Sequence, residues 1–162
     1  MKHDPLTVAD CMTPTRVTIQ DTATVTEAVQ ILLKHHILGS AVVDQEGHLV
    51  GYISEQDCLK QLLTDSYHSE DAAQVADVMR RDVLTVNSDM SIVDLAQTMT
   101  GDKPKKYPVV EQRRLIGEIT RTQVVQALLK LRAWRQASET GRKRPVVGMA
   151  KPLAARAPSP RN

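Results

Sequence analysis

At 162 residues and 18.0 kDa the chain can form one compact domain or two small halves sharing a core. Its 41% apolar content fits a globular protein, but with no Phe and 2% aromatic residues the core must be Val, Ile, Leu, Met and Ala. No apolar run approaches the roughly 20 residues of a membrane helix, and the start Met1-Lys2-His3-Asp4-Pro5 lacks a signal peptide's apolar segment; a cytoplasmic protein without a membrane span is expected.

The net charge of +2 hides a division. From Arg132 onward eight basic residues stand against Glu139 alone, leaving 13 basic and 18 acidic residues before it; the body is about −5 and the tail about +7. Cys11 and Cys58 fall in helix-like apolar patterns with no metal or redox motif and read as small core residues.

Taken in order, the chain repeats itself. Val8-Ala9-Asp10-Cys11-Met12 matches Val75-Ala76-Asp77-Val78-Met79 at an offset of 67, which also pairs Thr18-Ile19 with Thr85-Val86 and Val42-Val43 with Val109-Val110. After one deletion the offset becomes 66 and pairs Gly51 with Gly117, Ile53 with Ile119, and Leu62-Leu63 with Leu128-Leu129. In the first copy Val17 to Ile19 reads as a strand. Thr24-x-x-Glu27 is a capping box opening a helix with apolar residues at Val25, Ala28, Val29, Leu32 and Leu33. Ser40 to Val43 is a strand covered on both faces, Asp44 to Gly47 a turn, Leu49 to Ile53 a third strand, and Gln56 to Leu63 a second helix. Residues 64–74 are polar and read as connection. The second copy repeats the order: Leu84 to Val86, a helix from a Ser91-x-x-Asp94 box to Met99, Tyr107 to Val110, Leu115 to Ile119, and a last helix from Thr122 to about Ser138, with Gly141 as its stop. The expected fold class is therefore α+β: tandem β-α-β-β-α repeats, two small sheets packed pseudo-symmetrically in one compact module. Its parts are a first repeat over 7–66, a connection over 67–74, a second repeat over 75–138 and a basic, disordered tail over 139–162.

Each third strand ends in a hydroxyl that opens a helix: Ser54-x-x-Asp57 and Thr120-x-x-Gln123. A hydroxyl and an acceptor so spaced serve as a helix cap or as a cradle for a phosphorylated ligand; the pattern alone leaves both open. The repeat, its leading V-x-D-x-M helix, its V-V-D strand end and its G-x-I-S/T-x-x-D junction resemble a pair of cystathionine-β-synthase-type (CBS) domains over roughly residues 7–131. The resemblance implies a non-catalytic regulatory module, with no cofactor required, that binds an adenosine-containing ligand (AMP, ADP, ATP, S-adenosylmethionine or NAD) between the repeats and changes its packing. It also implies a homodimer and a partner enzyme or transporter. With no catalytic domain in these residues, the module reads as a stand-alone sensor or adaptor.

Carried over by position, Ser54 meets the phosphate and Asp57 the ribose diol, with Thr18, Ile19, Ser40 and Ala41 around the adenine and His36 and Arg16 toward the phosphates. The second site, with Gln123 in place of the acid, comprises Thr120, Gln123, Thr85, Tyr107 and Pro108 and is expected to be weaker, altered or empty. The alternative is a dimeric interaction module with vestigial clefts. His36 reads equally as a partly buried core residue; His3, His48 and His68 read as surface, and no His/Cys/Asp/Glu group has zinc-like spacing. No Walker-type or dinucleotide loop, nucleophile elbow or metal pair points to an enzyme. Trp134 reads as an edge residue or as a dimer or partner anchor. Arg142-Lys143-Arg144 lacks aromatic interleaving, so nucleic acid is not an expected partner.

Overall fold

A computed structural model describes residues 6–68 and 73–142. The first repeat comprises α1 (Val8–Cys11), β1 (Thr13–Pro14), β2 (Ile19–Gln20), α2 (Val25–His35), β3 (Gly39–Val43), β4 (Leu49–Ser54) and α3 (Glu55–Tyr67). The second comprises α4 (Val75–Val78), β5 (Val86–Asn87), α5 (Ile92–Met99), β6 (Lys106–Glu111), β7 (Arg114–Thr120) and α6 (Arg121–Arg142). Local chemistry sets the helix starts. Thr24 accepts from the Glu27 amide while Glu27 accepts from the Thr24 amide, closing a reciprocal box, and Asp10 accepts from both the amide and the hydroxyl of Thr7. The Ser91 box is only half made: Ser91 accepts from the Val93 amide. Helix α2 ends where His36 takes a left-handed conformation (φ 52°).

Two small mixed sheets result. One has the order β2-β3-β4 and the other β1-β7-β6-β5. In each, the short strand runs parallel to the middle one and the hairpin is antiparallel. The extra strand β1 pairs with β7 of the other repeat, Thr13 opposite Glu118 and Pro14 opposite Gly117; an edge position tolerates the proline.

The cores show why neither repeat is self-sufficient. Ile19, Val25, Leu32, Val42 and Ile53 of the first repeat bury around Val75 and Met79 of the second, and Ile92, Leu95, Val109 and Ile119 bury around Val8 of the first. The leading helices are thus exchanged. Backbone bonds fix the exchange: the Val8 amide donates to the Met90 carbonyl and the Val75 amide to the Ala23 carbonyl. Glycines at equivalent positions permit the close approach. A Cβ on Gly117 would lie 2.6 Å from the Thr13 carbonyl oxygen, and one on Gly51 would lie 2.9 Å from that of Arg80.

Two element ends differ from the sequence expectation. Helix α3 continues through Tyr67 into the stretch expected as connection, held partly by a 2.7 Å bond from the Gln61 amide to Asp65. Helix α6 runs through Gly141 rather than stopping there, because Gly costs a helix about 1 kcal/mol without forbidding it. The basic tail from Lys143 and the terminal His3 lie outside the described residues. No helix among them is long and apolar enough to cross a membrane.

Candidate functional site: two clefts between the repeats

The exchange decides which residues meet. At the end of β4, Asp57 Oδ2 accepts from the Ser54 amide (3.0 Å) and the Ser54 hydroxyl (2.6 Å), while the Asp57 amide donates to Ser54 Oγ at 3.3 Å. The same oxygen lies 3.6 Å from Nε of Arg80, the second residue after the leading helix of the second repeat. At the end of β7, Gln123 Oε1 accepts from the Thr120 amide (2.8 Å) and hydroxyl (3.2 Å). Gln123 Nε2 then donates to Thr13 Oγ1 at 2.6 Å. Thr13 and Arg80 occupy equivalent repeat positions, so one contact occurs twice, once neutral and once charged. Burial would raise the Asp57 carboxyl, but the Ser54 hydrogen bonds and the Arg80 charge outweigh it and hold it below the usual carboxylate range.

Two clefts flank these contacts. The Arg16 cleft, about 420 Å³, is walled by Thr13 to Val17, His35, Ile37 and Gly39 to Ala41 of the first repeat. Tyr52 and, from the second repeat, Lys106, Pro108, Leu115, Gly117 and Glu118 complete it. The Arg80 cleft, about 560 Å³, is walled by Arg80, Asp82, Val83, Leu84 and Pro104 to Lys106, with Tyr52 and Pro108 shared. Both volumes suit a nucleoside-sized ligand. Burial raises the Tyr52 phenol, the neighbouring Glu118 adding to it and Lys106 and Arg80 opposing.

The structure regroups the residues expected at the first site. Arg16, Ser40 and Ala41 line the Arg16 cleft, but Ser54 and Asp57 line neither cleft, and Asp57 meets the wall of the other one only through Arg80. Ile19 is fully buried in the core, and Thr18 is not among the cleft-lining residues. His36, turned outward by its left-handed backbone, is exposed, and His35 takes the cleft position. Of the second group, Pro108 lines both clefts, Thr85 is exposed, and Tyr107 is a core residue at 2% exposure. Thr120 and Gln123 reach the Arg16 cleft through Thr13. Sequence reasoning passed over Arg80, Tyr52 and Glu118. The usable signal was the paired change across the repeat: Asp57 goes with Arg80, and Gln123 with Thr13.

Elsewhere, His48 is half-buried rather than a plain surface residue, its Nδ1 3.1 Å from Asp44 Oδ2. Ligand atoms of Asp44, Glu46 and His48 lie within 4.8 Å of one another, but Asp44 Oδ1 already accepts from the Glu46 and His48 amides, so the group ties the β3–β4 turn.

Two segments, residues 8–64 and 75–130, match the family model described as the CBS domain. The chain belongs to the CBS domain family. The exchanged repeats are accordingly a CBS pair. The CBS pair protein CBSX2 of Arabidopsis thaliana, solved in complex with AMP, is similar at 30% identity and TM-score 0.66, over 78% of this chain and 98% of that one. The CBS domain pair of protein MJ0100, solved with 5′-methylthioadenosine and S-adenosyl-L-methionine, is similar at 27% identity and TM-score 0.61, over 77% and 97%. An uncharacterized Methanocaldococcus jannaschii protein, MJ1225, is 29% identical over 121 residues, 75% of this chain. The chain spans only 42% of that relative's length.

Proposed function

We infer that this CBS pair is a non-catalytic regulatory module that binds an adenosine-containing ligand between its repeats and transmits occupancy through their packing. The observation that carries the reading is the position of Asp57. Its carboxylate, 16% exposed, lies behind Arg80, which walls a nucleoside-sized cleft, and accepts the contacts from Ser54 and Arg80 through Oδ2. Oδ1 then accepts from a ribose diol, which presents two hydroxyl donors. Arg80, with a side chain 64% exposed, turns aside as the sugar enters, and Lys105 and Lys106 meet phosphate. The adenosine ligands of the similar CBS pairs support the ligand class. Across the module, Gln123 is neutral and already engaged by Thr13, which makes the Arg16 cleft the weaker site.

A ligand shifts packing only by its differential affinity for two arrangements, so both repeats must grip it. The exchanged elements provide that: each cleft joins the opening segment of one repeat to the hairpin of the other. Exposed leucines support the homodimer as the output surface. Leu59 and Leu63 of α3 and Val125 and Leu129 of α6 are 52–63% exposed, forming equivalent apolar helix faces on both repeats.

The test is a thermal-shift panel of AMP, ADP, ATP, 5′-methylthioadenosine and S-adenosylmethionine. Ligand at 100 times its Kd stabilises by about 2.7 kcal/mol, and Asp57→Ala removes the effect. No shift with any of the five favours the alternative, a dimeric interaction module.

A further inference from the structure

The repeats diverge where their sheets face the clefts. On β3 and β4 the facing positions are Gly39 and Tyr52; the equivalent positions on β6 and β7 are Lys106 and Glu118. In the first repeat a bare glycine makes room for the ring: a Cβ on Gly39 would lie 2.7 Å from Tyr52 Cε1. In the second, Lys106 and Glu118 are diagonal neighbours across the hairpin, Lys106 opposite Thr120 and Glu118 opposite Pro108. Their side chains form an ion pair of 2.5 Å with 35% and 40% exposure. Lys106 lines both clefts, whereas Glu118 lines only the Arg16 cleft. One ammonium thus serves two cavities, and its counter-ion belongs to one of them.

Resting on the reading of the clefts as adenosine-ligand sites, we propose that the Lys106–Glu118 pair couples them by charge, so that a chain holding a phosphorylated ligand in the Arg80 cleft resists a second one in the Arg16 cleft. A half-exposed ion pair is weak and easily exchanged. A phosphate offers Lys106 more charge and more acceptor oxygens than Glu118 does, and the flexible ammonium can turn to it. On the Arg80 side Lys105 adds to that attraction. Once Lys106 has turned, Glu118 has lost its ion-pair partner on the wall of the Arg16 cleft, and a second phosphate there meets that carboxylate with only Arg16 to offset it. An uncharged nucleoside meets no such penalty. The combination the geometry favours is one phosphorylated ligand on the Asp57 side, with the other cleft left to a nucleoside without phosphate.

Titration calorimetry on the full chain with ATP and with adenosine tests this in wild type, Lys106→Met and Glu118→Gln. Wild type takes one ATP per chain. Lys106→Met weakens ATP about tenfold and leaves adenosine within about twofold, while Glu118→Gln tightens ATP several-fold and admits a second one. A pair with a purely structural role moves ATP affinity in the same direction in both variants, and that result overturns the coupling. Two ATP bound with equal affinity by wild type overturns it as well. If ATP and adenosine bind but neither variant discriminates them, the coupling fails and the ligand reading stands; if neither binds wild type, both fail. Both side chains are more than a third exposed, so the variants retain the fold, which an unchanged melting transition verifies.

Discussion

At Asp57 the hydroxyl and amide of Ser54 and the guanidinium of Arg80 converge on one carboxylate oxygen. The cap and the cradle, which the four-residue pattern left open, are compatible in this geometry because the cap engages Oδ2. The arrangement has a pH signature. The folded Asp57 carboxyl lies below its unfolded value near 3.9, so the stabilisation is complete above about pH 5 and is lost as pH falls through the lower folded value. Asp10, held low by the Thr7 amide and hydroxyl, acts in the same direction. Asp57→Asn should cost about 1 kcal/mol at pH 7 and flatten the fall in urea midpoint between about pH 5 and 2; an acid slope equal to wild type would contradict this role. Glycine makes the complementary case. Gly117→Ala drives a Cβ against the Thr13 carbonyl, backbone that cannot step aside, and should destabilise by about 1–3 kcal/mol in denaturant unfolding. The hydroxyl-x-x-acceptor pattern was legible in the sequence because it is local. Its partners were not, because Arg80 and Thr13 reach it from the other repeat.

At the scale of elements, the repeat order, the capping-box starts at Thr24 and Ser54 and the hairpin strands could be read because period and cap chemistry act within a few residues. The exchange of α1 and α4 could not: Val8 and Val75 carry the same local pattern whichever core receives them. It follows that a half lacks part of its own core. Chains of residues 6–68 or 73–142 alone should show no cooperative unfolding as monomers, and a sharp thermal transition from either would contradict the exchange. In the full chain Val75→Ala, at a position with 0% exposure in the first repeat's core, should destabilise by about 2 kcal/mol in urea. The ends of α3 and α6 escaped the sequence reading because polar residues and one glycine weaken a helix without terminating it once the preceding turns are formed.

For the whole molecule, the apolar helix faces point outward, and the clefts lie between the repeats. The equivalent faces at Leu59 and Leu63 and at Val125 and Leu129 fit a symmetric dimer, in which one surface meets itself. The double variant Leu63→Glu with Leu129→Glu should sediment as a monomer where wild type is a dimer, and a monomeric wild type would remove that part of the proposal. In the proposed function an adenosine ligand lies where the two repeats exchange elements, its sugar on Asp57. A crystal structure grown with AMP tests it most directly. Ribose density should lie within hydrogen-bond distance of Asp57 Oδ1, with Arg80 displaced from its 3.6 Å contact and the phosphate toward Lys106. Both clefts empty at saturating AMP, with Asp57 still closed onto Ser54 and Arg80, would contradict it.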